Sequence, residues 1–471
     1  MKNSDNKGGT ITVLPLIFIT AALFMTLRNM PAMAETGLHM VIFNAITVFA
    51  FLIPVALVSA ELATGWPERG VYQWIDAAFG SSAGFLAAWL QWIQSVFGIT
   101  SILAYVGGSL AYVFAPDLGS NPYFITCVII GVYWFATLIN FKGTHLSGLI
   151  SSVALLAGVL LPTILLILGA GFYIVSGQTI HIDLSLTRDN IIPSLTDTTG
   201  LLFFLSFVFG FVGIEVSANH AVEVKDPQRN FPLALFTAAI LGFILTLLGG
   251  LAVGVLIPAE QINPVNGATQ AFFILLDQFH AGEWISLIAF LIAMGAAGQV
   301  STWVVGPVKG LWAAGVCGNL PPYFQKTNNY DVPVRLLIAQ ALSISMIGLL
   351  FLLVNDVNSV FLLLTSIAII LYAIMYIMMF SAAIRLRYTH PEVPRAYKIP
   401  GGNLGMWIIS SIGALCATAC LIIGFIPPTP DPLGFFGFEV LILLTCLASL
   451  GGAIIILRLR KPEWLLVKSG Q

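Results

Sequence analysis

Charge is scarce in this chain. Asp, Glu, Lys and Arg together make up 8% of 471 residues, where a soluble domain carries about 25%. With 58% of residues hydrophobic, no soluble core could enclose the apolar surface, so a multi-spanning membrane protein is expected. The basic residues form no block beyond short loop clusters, which excludes a nucleic-acid partner. Cysteine is rare too. Of Cys127, Cys317, Cys416, Cys420 and Cys446, four sit inside apolar runs and Cys317 lies near the end of one. None has metal-ligand spacing, and Cys416 and Cys420, one turn apart, read as packing residues, so neither a metal site nor a secreted disulfide framework is expected. His145, His181, His220 and His280 fall at membrane edges or loops. Asp, His and Ser converge on no nucleophilic constellation, so no enzyme is expected and no cofactor beyond a coupling proton. Long loops are missing as well. The largest, about 177–199 and 258–283, hold at most a short helix each. A non-transporting membrane sensor or interaction subunit, which would carry a soluble domain, is therefore only a remote alternative.

What is present is a series of long apolar runs. A span needs about 20 apolar residues, and twelve are placed near 11–36, 38–60, 84–114, 122–140, 149–176, 200–222, 231–257, 284–315, 333–354, 357–384, 405–426 and 434–457. Ala268 to Phe279 is apolar but too short to cross, and reads as an external helix. Lys2 and Lys7 precede the first run with no small-residue cleavage site, so residues 1–10 are expected to be a cytoplasmic tail leading into an uncleaved helix. With the N-terminus inside, all of the 19 Lys and Arg residues except Arg28 and Arg188 fall on the inner side. That asymmetry predicts a cell (inner) membrane protein with both termini cytoplasmic. Residues 11–460 then form a single transporter body, followed by a short cytoplasmic tail, 461–471. Its division is a first repeat near 11–176, a second near 200–384, and two extra helices near 405–457.

Two of the runs break in the middle. Span 1 meets Arg28-Asn29-Met30-Pro31, and span 6 meets Gly213-Ile214-Glu215, with Ser217 and Asn219 just beyond. Backbone left unpaired at membrane depth has to face protein or a wet cavity. Breaks at corresponding positions of two repeats point to a transporter's central site. Glu215 lies roughly fifteen residues into span 6, about 22 Å along a helix, where ionisable groups usually mark ion or substrate paths. It is the candidate for proton coupling, against the plainer reading of a carboxylate held by backbone amides at a helix end. Asn29 is placed to cap a new half-helix with Pro31 in its first turn, whose free amides would suit a substrate carboxylate. Arg28 either adds charge to that anion site or pairs with Glu215 or Glu35. Gln94, Ser95, Phe209, Gln299, Trp303, Tyr372 and Tyr376 are candidate lining residues. Tyr372 and Tyr376, four apart, share a helical face. Packing or interfacial anchoring is the plainer reading of each.

Loop motifs add to this. Glu61-Leu62-Ala63-Thr64 through Pro67, Gly70, Tyr72 and Trp74 resembles the loop after span 2 in the amino acid–polyamine–organocation superfamily. So do Glu223-Val224-Lys225-Asp226-Pro227-Gln228-Arg229-Asn230-Phe231-Pro232, Leu320-Pro321-Pro322-Tyr323-Phe324-Gln325-Lys326, and Arg395-Ala396-Tyr397-Lys398-Ile399-Pro400-Gly401-Gly402. Gly213-Ile214-Glu215-Val216-Ser217-Ala218-Asn219-His220, Ser301-Thr302-Trp303-Val304-Val305-Gly306-Pro307 and Leu371-Tyr372-Ala373-Ile374-Met375-Tyr376 resemble the bacterial glutamate/γ-aminobutyrate antiporters in particular. The resemblance implies an all-α polytopic fold of 12 helices, a five-plus-five inverted repeat with helices 1 and 6 broken and spans 11 and 12 outside the repeats. It also implies an amino acid bound among spans 1, 3, 6, 8 and 10, and occluding roles for Phe209 and Trp303. Three positions depart from that group: Gln299 stands for an acid, Met30 for a tyrosine, and no regulatory plug follows Lys461. Neutral or differently charged amino acids are therefore expected over the glutamate/γ-aminobutyrate pair, and acid-gated blocking by a tail is not.

The first functional reading is an antiporter exchanging an amino acid for another or for its amine by alternating access. The alternative is a proton-coupled symporter with Glu215 as carrier. Partners are small-molecule substrates and membrane lipid, and homo-oligomerisation stays open. No disulfide-linked heavy chain is expected, since residues 115–121 contain no cysteine.

Overall fold

Backbone N–H and C=O groups in lipid are satisfied internally only by helices or closed barrels, and this chain uses helices. The structure, a computed structural model, describes residues 11–67, 69–142, 152–194, 198–216, 224–354, 356–427 and 435–465. Ser217, Asn219, His220, His145 and the start of span 5 lie outside the described residues. The first span is split into α1 (Val13–Phe24) and α2 (Met30–Glu35). After it come α3 (His39–Gly65), a short connecting α4 (Gly70–Phe79), α5 (Ser81–Phe114), α6 (Pro122–Asn140) and α7 (Ser152–Val175). The sixth span starts as α8 (Thr198–Gly210) and breaks. The chain continues through α9 (Pro227–Leu256), the short α10 (Gly267–Gln278) and α11 (Ile285–Ala314). It ends with α12 (Val334–Val354), α13 (Val357–Thr389), α14 (Gly402–Ile423) and α15 (Phe435–Arg458).

Ten described helices are long and apolar enough to cross a bilayer. The two broken spans bring the number to twelve. The protein is thus a polytopic all-α membrane protein, and α10 falls where a short external helix is expected. Prolines shape two of the unbroken spans. Thr47–Leu52 in α3 and Leu156–Leu160 in α7 are π-turns, each just before a proline, Pro54 and Pro162. A widened turn is one way to accommodate the lost N–H and the ring's clash with the preceding carbonyl.

The packing repeats itself when the two halves are exchanged. Span 1 (α1 and α2) lies against α9, the seventh span, while α8 of span 6 lies against α3, the second. Phe24 meets Gly242, and Met30 and Met33 meet Gly249 and Gly250, so the small residues of α9 let span 1 approach closely. On the matching side Phe43 of α3 stacks with Phe204 and Phe207 of α8, centroids 5.3 and 5.8 Å apart. The third and eighth spans, α5 and α11, pair most extensively, and the contact of α13 with α5 is mirrored by that of α7 with α11. In the last of these, a Cβ on Gly158 would stand 2.4 Å from the backbone of Gly295. Such small-residue contacts replace the hydrophobic effect as the packing device in lipid. Because each half has five spans, an odd number, the second half enters the membrane upside down relative to the first.

Two of the loop motifs turn out to be parts of one buried cluster. Glu61, at the end of α3, accepts from Arg387 Nε and Nη2 at 2.6 Å each and from the backbone N–H of Ile399 at 2.8 Å. Arg395 Nε stands 3.7 Å from the same carboxylate. Thr64 Oγ1 donates to the Tyr397 carbonyl at 3.3 Å and accepts from its N–H at 3.2 Å.

Candidate functional site

Span 1 leaves the helix after Phe24, where Met25 turns extended (φ −70°, ψ 124°). Within the break, the Arg28 N–H donates to Thr26 Oγ1 at 3.2 Å and the Met30 N–H to the Leu27 carbonyl at 3.1 Å. Pro31, second residue of α2, has no N–H. The amides of Thr26, Leu27, Asn29 and Ala32 bond to none of the described residues, so the break still offers backbone donors to an anion. Asn29 occupies the N-cap position of α2, but its side chain makes no capping bond. Its Oδ1 accepts instead from Arg28 Nη1 at 3.3 Å, and its amide packs against Gly210 of α8. This is where the two breaks meet: Asn29 against Gly210, and Phe24 against Phe211 with centroids 5.5 Å apart.

Arg28 is 2% exposed. Its Nη2 donates to Ser101 Oγ of α5 at 2.7 Å and to Thr365 Oγ1 of α13 at 2.8 Å. The rings of Phe209 and Phe361 lie on the guanidinium at 4.6 and 4.7 Å, a cation–π arrangement. Arg28 Nε has no partner among the described residues. Neither Glu215 nor Glu35 comes within ion-pair distance; the described pairs are Arg387–Glu61 and Arg395–Glu61. The ion-pair reading of Arg28 is thereby corrected.

Span 6 breaks because Gly213 takes φ +101°, a backbone conformation that side chains of L-residues resist. Space allows nothing larger either: a Cβ there would lie 2.2 Å from the Trp303 ring. Glu215, 1% exposed, is held by three donors. Tyr372 Oη donates to Oε1, Tyr376 Oη to Oε2 at 2.7 Å, and Gln91 Nε2 to Oε1 at 3.3 Å. Tyr376 Oη also accepts the Gly213 N–H at 3.2 Å, tying the break to the carboxylate it precedes. The two tyrosine rings lie 4.7 Å apart, and Trp303 meets Tyr372 edge-on at 6.5 Å.

These residues border two separate spaces. A small cavity of about 30 Å³, room for a water molecule or two, is lined by Arg28, Asn29, Gln94, Ser95, Phe209, Gln299 and Trp303 among others. A vestibule of about 930 Å³ is lined by Glu215 and Gln91 together with Arg69, Lys309 and Asp331. Trp303 stands at the break between Glu215 and the small cavity. Seven candidate residues therefore border the cavity and Glu215 borders the vestibule. Tyr372 and Tyr376 hold Glu215, Gly213 donates to Tyr376, and Ile214 is fully buried. Met30 and Pro31 border neither space; they pack against Gly249 and Gly267. Ser95 is tied up by a 2.6 Å bond to the Trp92 carbonyl and a 3.0 Å bond from Gln340. Sequence reasoning missed Gln91, Ser101, Phe361 and Thr365. For Gln91 a signal existed, since it lies three residues before Gln94 and hence on the same helical face.

Further along α5, α10 and the residues before it pack on the helix. Thr269 donates to Ser109 at 3.2 Å, and Val265 and Asn266 press on Gly108. Among the described residues, no three His, Cys, Asp or Glu side chains stand close enough to share a metal ion.

Residues 11–448 match the family described as Amino acid permease. Among curated proteins, an uncharacterised transporter of Legionella pneumophila is 37% identical over 431 residues, 91% of this chain and 92% of its own. A glutamate/γ-aminobutyrate antiporter of Lactococcus lactis is 31% identical over 424 residues, 89% of this chain and 84% of its own. A probable agmatine/putrescine antiporter of the same species is 25% identical over 387 residues, 81% and 80% of the two chains.

Proposed function

The chain belongs to the amino acid permease family, and from that premise we propose that it exchanges one amino acid for another, or for an amine, by alternating access through the cavity between its broken helices. Membership makes it a transporter of amino acids or amines and not an enzyme, and its helices make it a multi-pass membrane protein. The observation that carries the exchange reading is the asymmetry of the two spaces. The cavity between the breaks is small, about 30 Å³, with Trp303 in its wall, while the vestibule of about 930 Å³ reaches Glu215 next to it. The vestibule's mouth carries Arg69 and Lys309, so by the distribution of Lys and Arg it faces the cytoplasm of the cell in this state. Two relatives are named as antiporters, which supports exchange over net uptake.

Counterflow in proteoliposomes tests this. Labelled amino acid enters only when the lumen is preloaded with a counter-substrate; equal uptake into empty and loaded vesicles rejects obligatory exchange. A second reading, proton symport with Glu215 as carrier, is favoured by the position of that carboxylate on the vestibule wall. Under it, an imposed pH gradient drives uptake into empty vesicles, and Glu215→Gln abolishes that drive and flattens the dependence of rate on pH. A pH profile unchanged in the folded variant rules Glu215 out as the coupling group.

A further inference from the structure

Among the described residues, Arg28 is the one charged side chain lining the small cavity. Its surroundings bond three of its five N–H groups without neutralising it: two hydroxyls, one amide oxygen and two aromatic faces, and no carboxylate among the described residues. Glu215 cannot serve as counter-ion in this arrangement. Both its oxygens are taken by Tyr372, Tyr376 and Gln91, and it borders the other space. Removing a cation from water without an opposite charge is strongly unfavourable, and the deficit is made up only if an anion arrives. The backbone adds donors beside it, since the amides of Thr26, Leu27, Asn29 and Ala32 bond to none of the described residues. The cavity's other polar lining, Asn29, Gln94, Ser95, Thr26 and Gln299, is uncharged.

We propose that Arg28 is a specificity determinant that makes the preferred cargo an amino acid of net charge −1, with a carboxylate seated against the free Nε–H of Arg28. This deepens the exchange reading, rests on the cavity being the substrate site, and reverses the expectation drawn from Gln299 that glutamate is disfavoured. A zwitterion would leave the cavity with the full charge of Arg28, whereas an acidic amino acid cancels it. A decarboxylated amine or a cationic amino acid would add a second positive charge to a site holding no acid. The space is smaller than any amino acid, so entry requires the rings of Phe209 and Trp303 to swing aside. Phe209 is also one of the two rings on the guanidinium, so its movement uncovers a face of the charge that attracts the cargo.

The test uses purified full-length protein in proteoliposomes. Aspartate and glutamate are compared with asparagine and glutamine, their neutral amides of nearly the same shape, and with arginine. A hydrogen bond to a charged group is worth about 1.5–3 kcal/mol, so wild type should prefer each acid over its amide by about tenfold or more. Arg28→Gln should erase or reverse that ratio, and Arg28→Lys, which keeps the charge but not the fork, should keep an acid preference at lower affinity. A wild type that prefers the amides or arginine overturns the proposal, as does an Arg28→Gln variant with an unchanged ratio. If Arg28→Gln fails to fold, Arg28→Lys decides, and wild-type affinity in it counts against the proposal. Folded protein that moves no amino acid at all overturns the exchange reading instead. The proposal is then judged by melting temperature: aspartate should raise it and asparagine should not, and equal effects overturn it.

Discussion

Replacing Tyr376 with Phe removes a single oxygen and with it two hydrogen bonds of opposite sense. The hydroxyl donates to Glu215 Oε2 at 2.7 Å and accepts the Gly213 N–H at 3.2 Å. Loss of a bond to a charged acceptor is worth about 1.5–3 kcal/mol, and a buried amide left without a partner costs about 1–3 kcal/mol more. Tyr372→Phe removes only the first kind of bond, and Oε1 keeps its donor Gln91 at 3.3 Å. Both variants keep their rings, so the edge-on contacts of Tyr376 with Phe51 and of Tyr372 with Trp303 survive. Tyr376→Phe is therefore expected to be the more damaging by about 1–3 kcal/mol, the share of the orphaned amide. Equilibrium unfolding in mixed detergent micelles, followed by tryptophan fluorescence, measures both. In a Glu215→Gln background the penalty of Tyr376→Phe should shrink to the amide's share, which a double-mutant cycle isolates. Tyr372→Phe proving equal or worse refutes the bridging role of Tyr376. So does an unchanged penalty in the Glu215→Gln background.

Glu61→Gln leaves Arg387 and Arg395 without their carboxylate, and should destabilise by about 3–5 kcal/mol in the same unfolding measurement, as breaking a buried pair from one side does; a change under about 1 kcal/mol, the worth of an exposed pair, would show that water reaches the cluster. Gly158→Ala forces a Cβ against the Gly295 backbone at 2.4 Å and should cost at least about 1–3 kcal/mol, read as a fall in melting temperature. An unshifted melting temperature there would mean that α7 and α11 separate freely.

The spans and both breaks were legible because they are local features: apolar length, a proline, a glycine, a charge where none is affordable. The partners were not, because they come from elsewhere in the chain. Arg28 finds Ser101 and Thr365, 73 and 337 residues away. Hydroxyls in apolar helices carry no mark that separates these from the many that bond their own backbone, as Thr100 does to Val96. Met30 and Pro31 were expected beside Arg28 in the site, yet they pack on α9 and α10. α2 starts only at Met30, so the helical rule that places residues on one face does not carry over from Arg28 in the break. The expected charge pair failed for another reason. Glu215 has two tyrosines on the facing helix of span 10, and their hydroxyls reach it without the desolvation of a second charge. Glu61 and Arg395 were each legible as motifs; that they touch was not, since loop motifs carry no distance.

Arg28 also sets a timetable for biosynthesis. Thr365 and Phe361 lie on α13, so the chain inserts its first span more than 300 residues before the last of the residues that hold its charge exist. At about 5–20 residues per second, the 337 residues between Arg28 and Thr365 take roughly 20–70 s to be made. During that interval a guanidinium that costs about 2.5–3.5 kcal/mol at a helix centre has at most Asn29, Ser101 and Phe209 of its final partners. A ribosome-bound chain stalled before α13 should thus keep span 1 reachable by water-soluble crosslinkers. The first helix to be inserted is the last to be finished.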